Sequence, residues 1–97
     1  MESALHVAAD HPAYAGHFPG QPILPGVVLL AEALQAIAHA TGRAADRWTL
    51  GSAKFLHPVT PGTPLTLMHV VAEDGSVRFE VRAAGRVVAS GHLSPRA

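Results

Sequence analysis

Three groups in the segment GHFPGQPILPGVVLLAEALQAI, residues 16–37, have the types and spacing to move a proton beside a polarised carbonyl. His17 carries an imidazole, which titrates near neutrality, and it is framed by Gly16 and Pro19-Gly20, which fix its ring in a stiff, water-poor loop. Gly26 stands where this loop meets an apolar run. Its backbone N–H falls at the positive end of a helix, and the missing side chain lets a carbonyl oxygen come close, which makes an oxyanion site. Glu32 is the only carboxylate of the run and a candidate acid. Each group also has a plainer reading: a loop histidine satisfied by backbone, a rigid turn, and a helix carboxylate on a solvated or interface stripe. Pro25-Gly26 is less easily dismissed, because amides exposed at the start of a buried helix need partners.

The elements that must position these groups follow from breakers and periodicity. No breaker interrupts residues 27–40, and Thr41-Gly42 supplies a stop, so the spacing predicts a helix of about four turns with Pro25 and Gly26 at its start. At about 100° per residue, Glu32, Gln35 and His39 share one narrow stripe, while Val27, Val28, Leu29, Leu30, Leu34, Ile37 and the alanines cover the remainder. A helix apolar around most of its circumference is expected to be buried. Residues 3–9 alternate weakly as a short strand, and AADHPAYAGHFPGQPILPG is a long, stiff loop. Downstream the period changes. WTLGSAKFLHPV, TPLTLMHVVAED, SVRFEVRAA and RVVASGHLS are strand-length and are separated by Pro61-Gly62, Asp74-Gly75 and Gly85. In the third of these, Val77, Phe79 and Val81 are expected to face a core, and Arg78, Glu80 and Arg82 to face water. The pattern is α+β: an antiparallel sheet wrapped around one long buried helix, with residues 1–97 as one domain.

Composition narrows the function classes. With 97 residues, a single core is thin, and an apolar content of 48% against 14% charged leaves apolar surface for a second subunit. Seven basic and seven acidic side chains cancel, so no net field draws nucleic acid or an anionic membrane. Cysteine is absent, which removes disulfides and thiolate metal sites. Among His6, His11, His39, His57, His69 and His92 no pair has zinc-motif spacing, so no metal is expected. The first residues lack a cationic and then apolar leader, and no apolar run approaches membrane-spanning length, so a soluble, cytoplasmic protein is the expectation.

GHFPGQPILPGVVLL resembles the signature of the hot-dog fold 3-hydroxyacyl-acyl-carrier-protein dehydratases, and AKFLHPVTPGTPL resembles their second conserved segment. Together they cover about a third of the chain. Its compact length and closing RVVASGHL strand are also similar to the smaller dehydratase-like members of polyketide and aryl-polyene pathways. The resemblance implies removal of water from a 3-hydroxyacyl thioester to give the trans-2-enoyl product, in a homodimer without metal or redox cofactor. The thioester arrives on acyl carrier protein or coenzyme A, and a phosphopantetheine arm belongs to the carrier. It implies His17 as base, the Gly26 amide polarising the thioester, Pro25, Val27 and Gln35 beside the substrate, and a helix carboxylate from the neighbouring subunit. His57 falls near the acyl tunnel, and Arg78 and Arg82 are candidates to meet an acidic carrier, although exposed arginines on strands mostly solubilise.

The sequence departs from the family at the carboxylate. The family acid stands fourteen positions after the motif histidine, which here is Ala31, and Glu32 follows about 100° further round the helix. Gln35 lies between them in angle, about 40° from the first and 60° from the second. Two rivals follow: a subunit that binds acyl chains but has lost its acid, and a hot-dog thioesterase, which generally lacks the HFPG run.

Overall fold

The computed structural model describes residues 2–5, 26–60 and 62–96. His17 and Pro25 lie outside the described residues, as does the stretch 6–25 to which they belong. Within them run strand β1 (Glu2–Leu5), helix α1 (Gly26–Thr41), a single 3-10 turn (Ala45–Arg47), and strands β2 (Trp48–Phe55), β3 (Leu65–Val71), β4 (Val77–Ala83) and β5 (Arg86–Pro95). The strands form one antiparallel sheet in the order β1-β3-β4-β5-β2, so β1 and β2 are its edges.

Helix α1 ends as its sequence indicates. The Thr41 hydroxyl donates to the Ile37 carbonyl at 2.8 Å, and Gly42 takes the left-handed conformation that closes a helix C-terminus. Leu29, Ala33 and Ile37, spaced at i, i+4 and i+8, form the buried row that packs on the sheet. Opposite them, Leu67 from β3, Val77, Phe79 and Val81 from β4, and Leu93 from β5 are each no more than 2% exposed. Arg78 is exposed and Glu80 and Arg82 are half-buried on the other face, as strand alternation requires. The Arg82–Glu80 ion pair at 2.9 Å is open to water and adds little stability.

The helix is not enclosed on all sides. The sheet covers one face, while Val27 is 73% exposed and Ala31 and Gln35 also face outward. A single sheet buries one stripe of a helix, and a second layer is needed to bury the rest.

Strand β2 carries a bulge at Gly51, between Leu50 and Ser52. The extra residue changes the phase of the pleat, so Leu50 is paired with Leu93 and Ala53 with Gly91, both toward the helix. Without it, Leu50 and Ala53 would face opposite sides.

The β4–β5 connection is a two-residue loop, Ala84-Gly85, flanked by the paired Ala83 and Arg86. Both loop residues have positive φ, 52° and 79°, as a type I′ turn demands. Alanine has a Cβ that crowds the following carbonyl in this region, whereas asparagine tolerates it. Ala84→Asn is expected to stabilise the fold by about 0.5–1 kcal/mol, read as a higher urea midpoint at unchanged m-value.

Candidate active site

Gly26 is the first residue of α1, so its amide belongs to the unsatisfied, positive end of the helix. The Phe55 ring stands directly over it. A Cβ built on Gly26 would lie 2.7 Å from Phe55 Cε1, so this position has no room for a side chain while the ring is in place. Phe55 itself is half-exposed, at the end of edge strand β2.

From the next residue, Val27, onward a cavity of about 240 Å³, partly open to solvent, lies between α1 and the sheet. Val27, Leu30, Ala31 and Leu34 line its helix side, and Leu50, Phe79 and Leu93 line its sheet side. The helix residues are spaced at i, i+3, i+4 and i+7, one continuous stripe on the flank toward β2. Every lining side chain is apolar, so the cavity suits a hydrocarbon tail and offers no group for proton transfer. The Gly26 amide stands at the helix end beside this cavity.

The structure separates the two candidate positions for an acid. Ala31 lines the cavity, while Glu32, half-buried, is turned about 100° away and is not among the lining residues. Gln35 is exposed and is also absent from the lining. Val27 lines the cavity, and Gly26 stands at the helix end that precedes it. His17 and Pro25 lie outside the described residues. His57 is exposed just after β2, and its backbone N–H donates to the Val88 carbonyl at 3.4 Å.

Four contributors were not assigned to the site from sequence: Leu50, Phe55, Phe79 and Leu93. Gly51 and Gly91 were the available signals, since a glycine inside a strand marks a bulge or a close approach. A Cβ on Gly91 would stand 2.5 Å from Phe79 Cζ and 2.9 Å from the Ser52 carbonyl oxygen, so the Phe79 ring occupies the space that a side chain would take.

Other ionisable groups stand apart from the cavity. His69 is 4% exposed on β3, cross-strand from Phe79, and burial lowers its pKa, favouring the neutral ring. The Ser76 hydroxyl and backbone N–H bind the Asp74 carboxylate at 2.7 and 2.9 Å, and the hydroxyl bond first, then the backbone one, depress its pKa in the β3–β4 turn. On the sheet face away from the helix, Ser52, Lys54, Arg78, Glu80, Ser90 and His92 line a shallow polar groove of about 440 Å³. Among the described residues no three histidine or acidic side chains cluster as a metal site, and no helix is long and apolar enough to cross a membrane.

Comparison with known proteins identifies the family and the fold. The family profile "ApeI-like: ApeI dehydratase" matches residues 1–92. The 3-hydroxyacyl-[acyl-carrier-protein] dehydratase FabZ of Chlamydia trachomatis is 35% identical over 102 residues, covering 92% of this chain and 67% of that protein. A crystal structure of a protein from Erwinia carotovora subsp. atroseptica superposes with a TM-score of 0.73 at 34% identity, covering 97% of this chain and 82% of the other. The dehydratase heterocomplex ApeI:P from Xenorhabdus doucetiae gives a TM-score of 0.77 over 99% of this chain and 86% of that one, and at 24% identity it supports the fold. With its helix laid on a five-stranded antiparallel sheet and the family profile matching residues 1–92, the chain belongs to the ApeI-like dehydratase family and has the hot-dog fold.

Proposed function

We propose that the protein dehydrates 3-hydroxyacyl thioesters to trans-2-enoyl thioesters, with the thioester delivered by acyl carrier protein in the cytoplasm. The observation that carries this reading is the wholly apolar cavity that begins at Val27, next to the Gly26 amide. The tail enters the cavity, and the thioester carbonyl is left at the helix end. There the Gly26 N–H stabilises the negative charge that develops on the carbonyl oxygen as the α-proton is lost.

His17 takes that proton from C2. The C2–H electron pair becomes the C2–C3 double bond, the C3–O bond breaks, and the hydroxyl leaves as water with a proton returned by the His17 imidazolium. In this reading His17 carries both proton transfers; Glu32 does not line the cavity of its own chain, and its role as an acid supplied to a neighbouring subunit is the alternative that Glu32→Ala tests. The elimination is redox-neutral, so it calls for no redox cofactor. The phosphopantetheine arm comes with the carrier.

The protein is read as a homodimer. Edge strand β2 offers an unpaired ladder, and Val27, Leu50, Phe55 and Leu56, between 46% and 73% exposed, cluster around it and the open helix flank. Leu50→Lys is expected to turn a dimer of twice the chain mass into a monomer, measured by light scattering on a sizing column.

The reading is tested by incubating the protein with 3-hydroxyacyl-acyl carrier protein, with the coenzyme A ester in parallel, and weighing the products. Loss of one water from the loaded carrier supports it. Release of free acid would indicate a thioesterase. Ala31 on the cavity favours one second reading, an acyl-binding subunit without an acid, which would return the substrate unchanged.

A further inference from the structure

We propose that Phe55 is a positioning residue for the oxyanion amide: its ring takes the place of a Gly26 side chain and holds the first residue of α1, an inference that rests on the dehydratase reading above. Gly26 does not have a positive φ, so its backbone suits any L-amino acid. Space, not conformation, calls for glycine there. A Cβ on Gly26 would stand 2.7, 2.8 and 3.0 Å from Cε1, Cζ and Cδ1 of Phe55, and these are the three atoms nearest to it. The gap left by the missing side chain is therefore filled by the ring and is not free for a substrate oxygen. The ring has a firm base. Phe55 ends a cross-strand row on the helix-facing side of the sheet, with Ala89 of β5, Val81 of β4 and Leu67 of β3, all fully buried. Just past it, the Leu56 and His57 backbone N–H groups both donate to the Val88 carbonyl, at 2.9 and 3.4 Å, which ties down the strand end that carries the ring.

This packing bears on the amide itself. As the first residue of the helix, Gly26 has an N–H without an intrahelical partner, and the first turn holds no acidic side chain to compete with an oxyanion for it. Helix ends fray, so the direction of such an N–H depends on what the residue packs against. Here that is the Phe55 ring. With the ring against the side-chain face of Gly26, a thioester oxygen meets the amide along its N–H, the geometry in which a donor stabilises developing charge.

The test is a double-mutant cycle on Gly26→Ala and Phe55→Ala in the full protein, with kcat and KM measured on 3-hydroxyacyl-acyl carrier protein. Alanine keeps the backbone N–H, so Gly26→Ala acts only through its Cβ. Alone, it is expected to lower kcat about tenfold as the Cβ pushes the ring aside, a part of the 10²- to 10³-fold lost with an oxyanion donor. Phe55→Ala is expected to lower kcat about as much with KM within about twofold, the mark of an interaction made in the transition state. Once the ring is gone, Gly26→Ala should cost no more than about a further twofold, because the space is already empty. The second comparison is made within one Phe55 background, so any effect of the ring on subunit association cancels. If glycine is instead needed for the carbonyl to come close, Gly26→Ala costs about the same with the ring and without it, and the inference is overturned. Wild-type kcat in either folded single variant overturns it as well. Phe55→Leu, which keeps an apolar branch against Gly26, is expected to fall between wild type and Phe55→Ala, and this order decides the question should Gly26→Ala not fold: equal kcat across the three overturns the inference. Failure of wild type to dehydrate the substrate defeats the dehydratase reading and this inference with it, whereas full turnover in Phe55→Ala defeats the inference alone.

Discussion

Replacing His17 by alanine is expected to lower kcat/KM for 3-hydroxyacyl thioesters by about 10⁴-fold, the upper end of what one general acid–base group contributes. The size follows from the double duty assigned to it. When one imidazole both removes the C2 proton and returns it to the departing hydroxyl, its loss removes both transfers at once. What remains is positioning by the cavity and charge stabilisation by the Gly26 amide, which still favour reaction over that in water. Dimer mass and far-UV circular dichroism should be unchanged, because His17 lies outside the helix and strands described. A second signature separates this mechanism from one with two groups. A single base that becomes its own acid needs only the neutral imidazole in the free enzyme, so kcat/KM should rise with pH along one limb. A separate acid would add a descending limb at high pH and produce a bell. If His17→Ala retains wild-type turnover, the mechanism is lost.

The sequence revealed the fold more fully than the site, for a physical reason. Alternation in SVRFEVRAA placed Val77, Phe79 and Val81 in the core because strand periodicity is local, and all three are buried. The helix from Gly26 to Thr41 was legible from the absence of breakers and the Thr41-Gly42 stop. Its open flank was not, because whether an apolar stripe is covered depends on the width of the sheet beneath it. Likewise, Asp74-Gly75 and Gly85 announced their turns, whereas Ala84 at positive φ is strain that only the closed hairpin reveals. In the site, Gly26 and Val27 were legible because they sit within the motif. The sheet-side wall is assembled from β2, β4 and β5 by register, and the Gly51 bulge decides whether Leu50 joins it. That is a long-range property, visible in the chain only as unexplained glycines at 51 and 91.

Exchanging the two neighbouring helix positions tests what the family departure means. Ala31→Glu is expected to raise kcat/KM by about tenfold, a part of the 10²- to 10⁴-fold that a well-placed acid supplies. Once a second subunit covers the open flank, the new carboxyl would stand in a lining of valine, leucine and phenylalanine, where loss of hydration favours its protonated form. A carboxylic acid held neutral near pH 7 is the form that can donate to a leaving hydroxyl. The rise should come with a descending limb in the pH profile, since turnover through the new group ends when it ionises. Glu32→Ala, in contrast, is expected to leave kcat/KM within about threefold, because that carboxylate is a rotation of about 100° from the cavity stripe. A loss of about 10²-fold or more in Glu32→Ala would identify Glu32 as the acid and overturn the single-histidine mechanism. Turnover absent in wild type and restored by Ala31→Glu would instead identify an acyl-binding subunit whose site retains every part except the acid. The three outcomes differ because one helical step decides whether a carboxyl meets the substrate or the flank beside it.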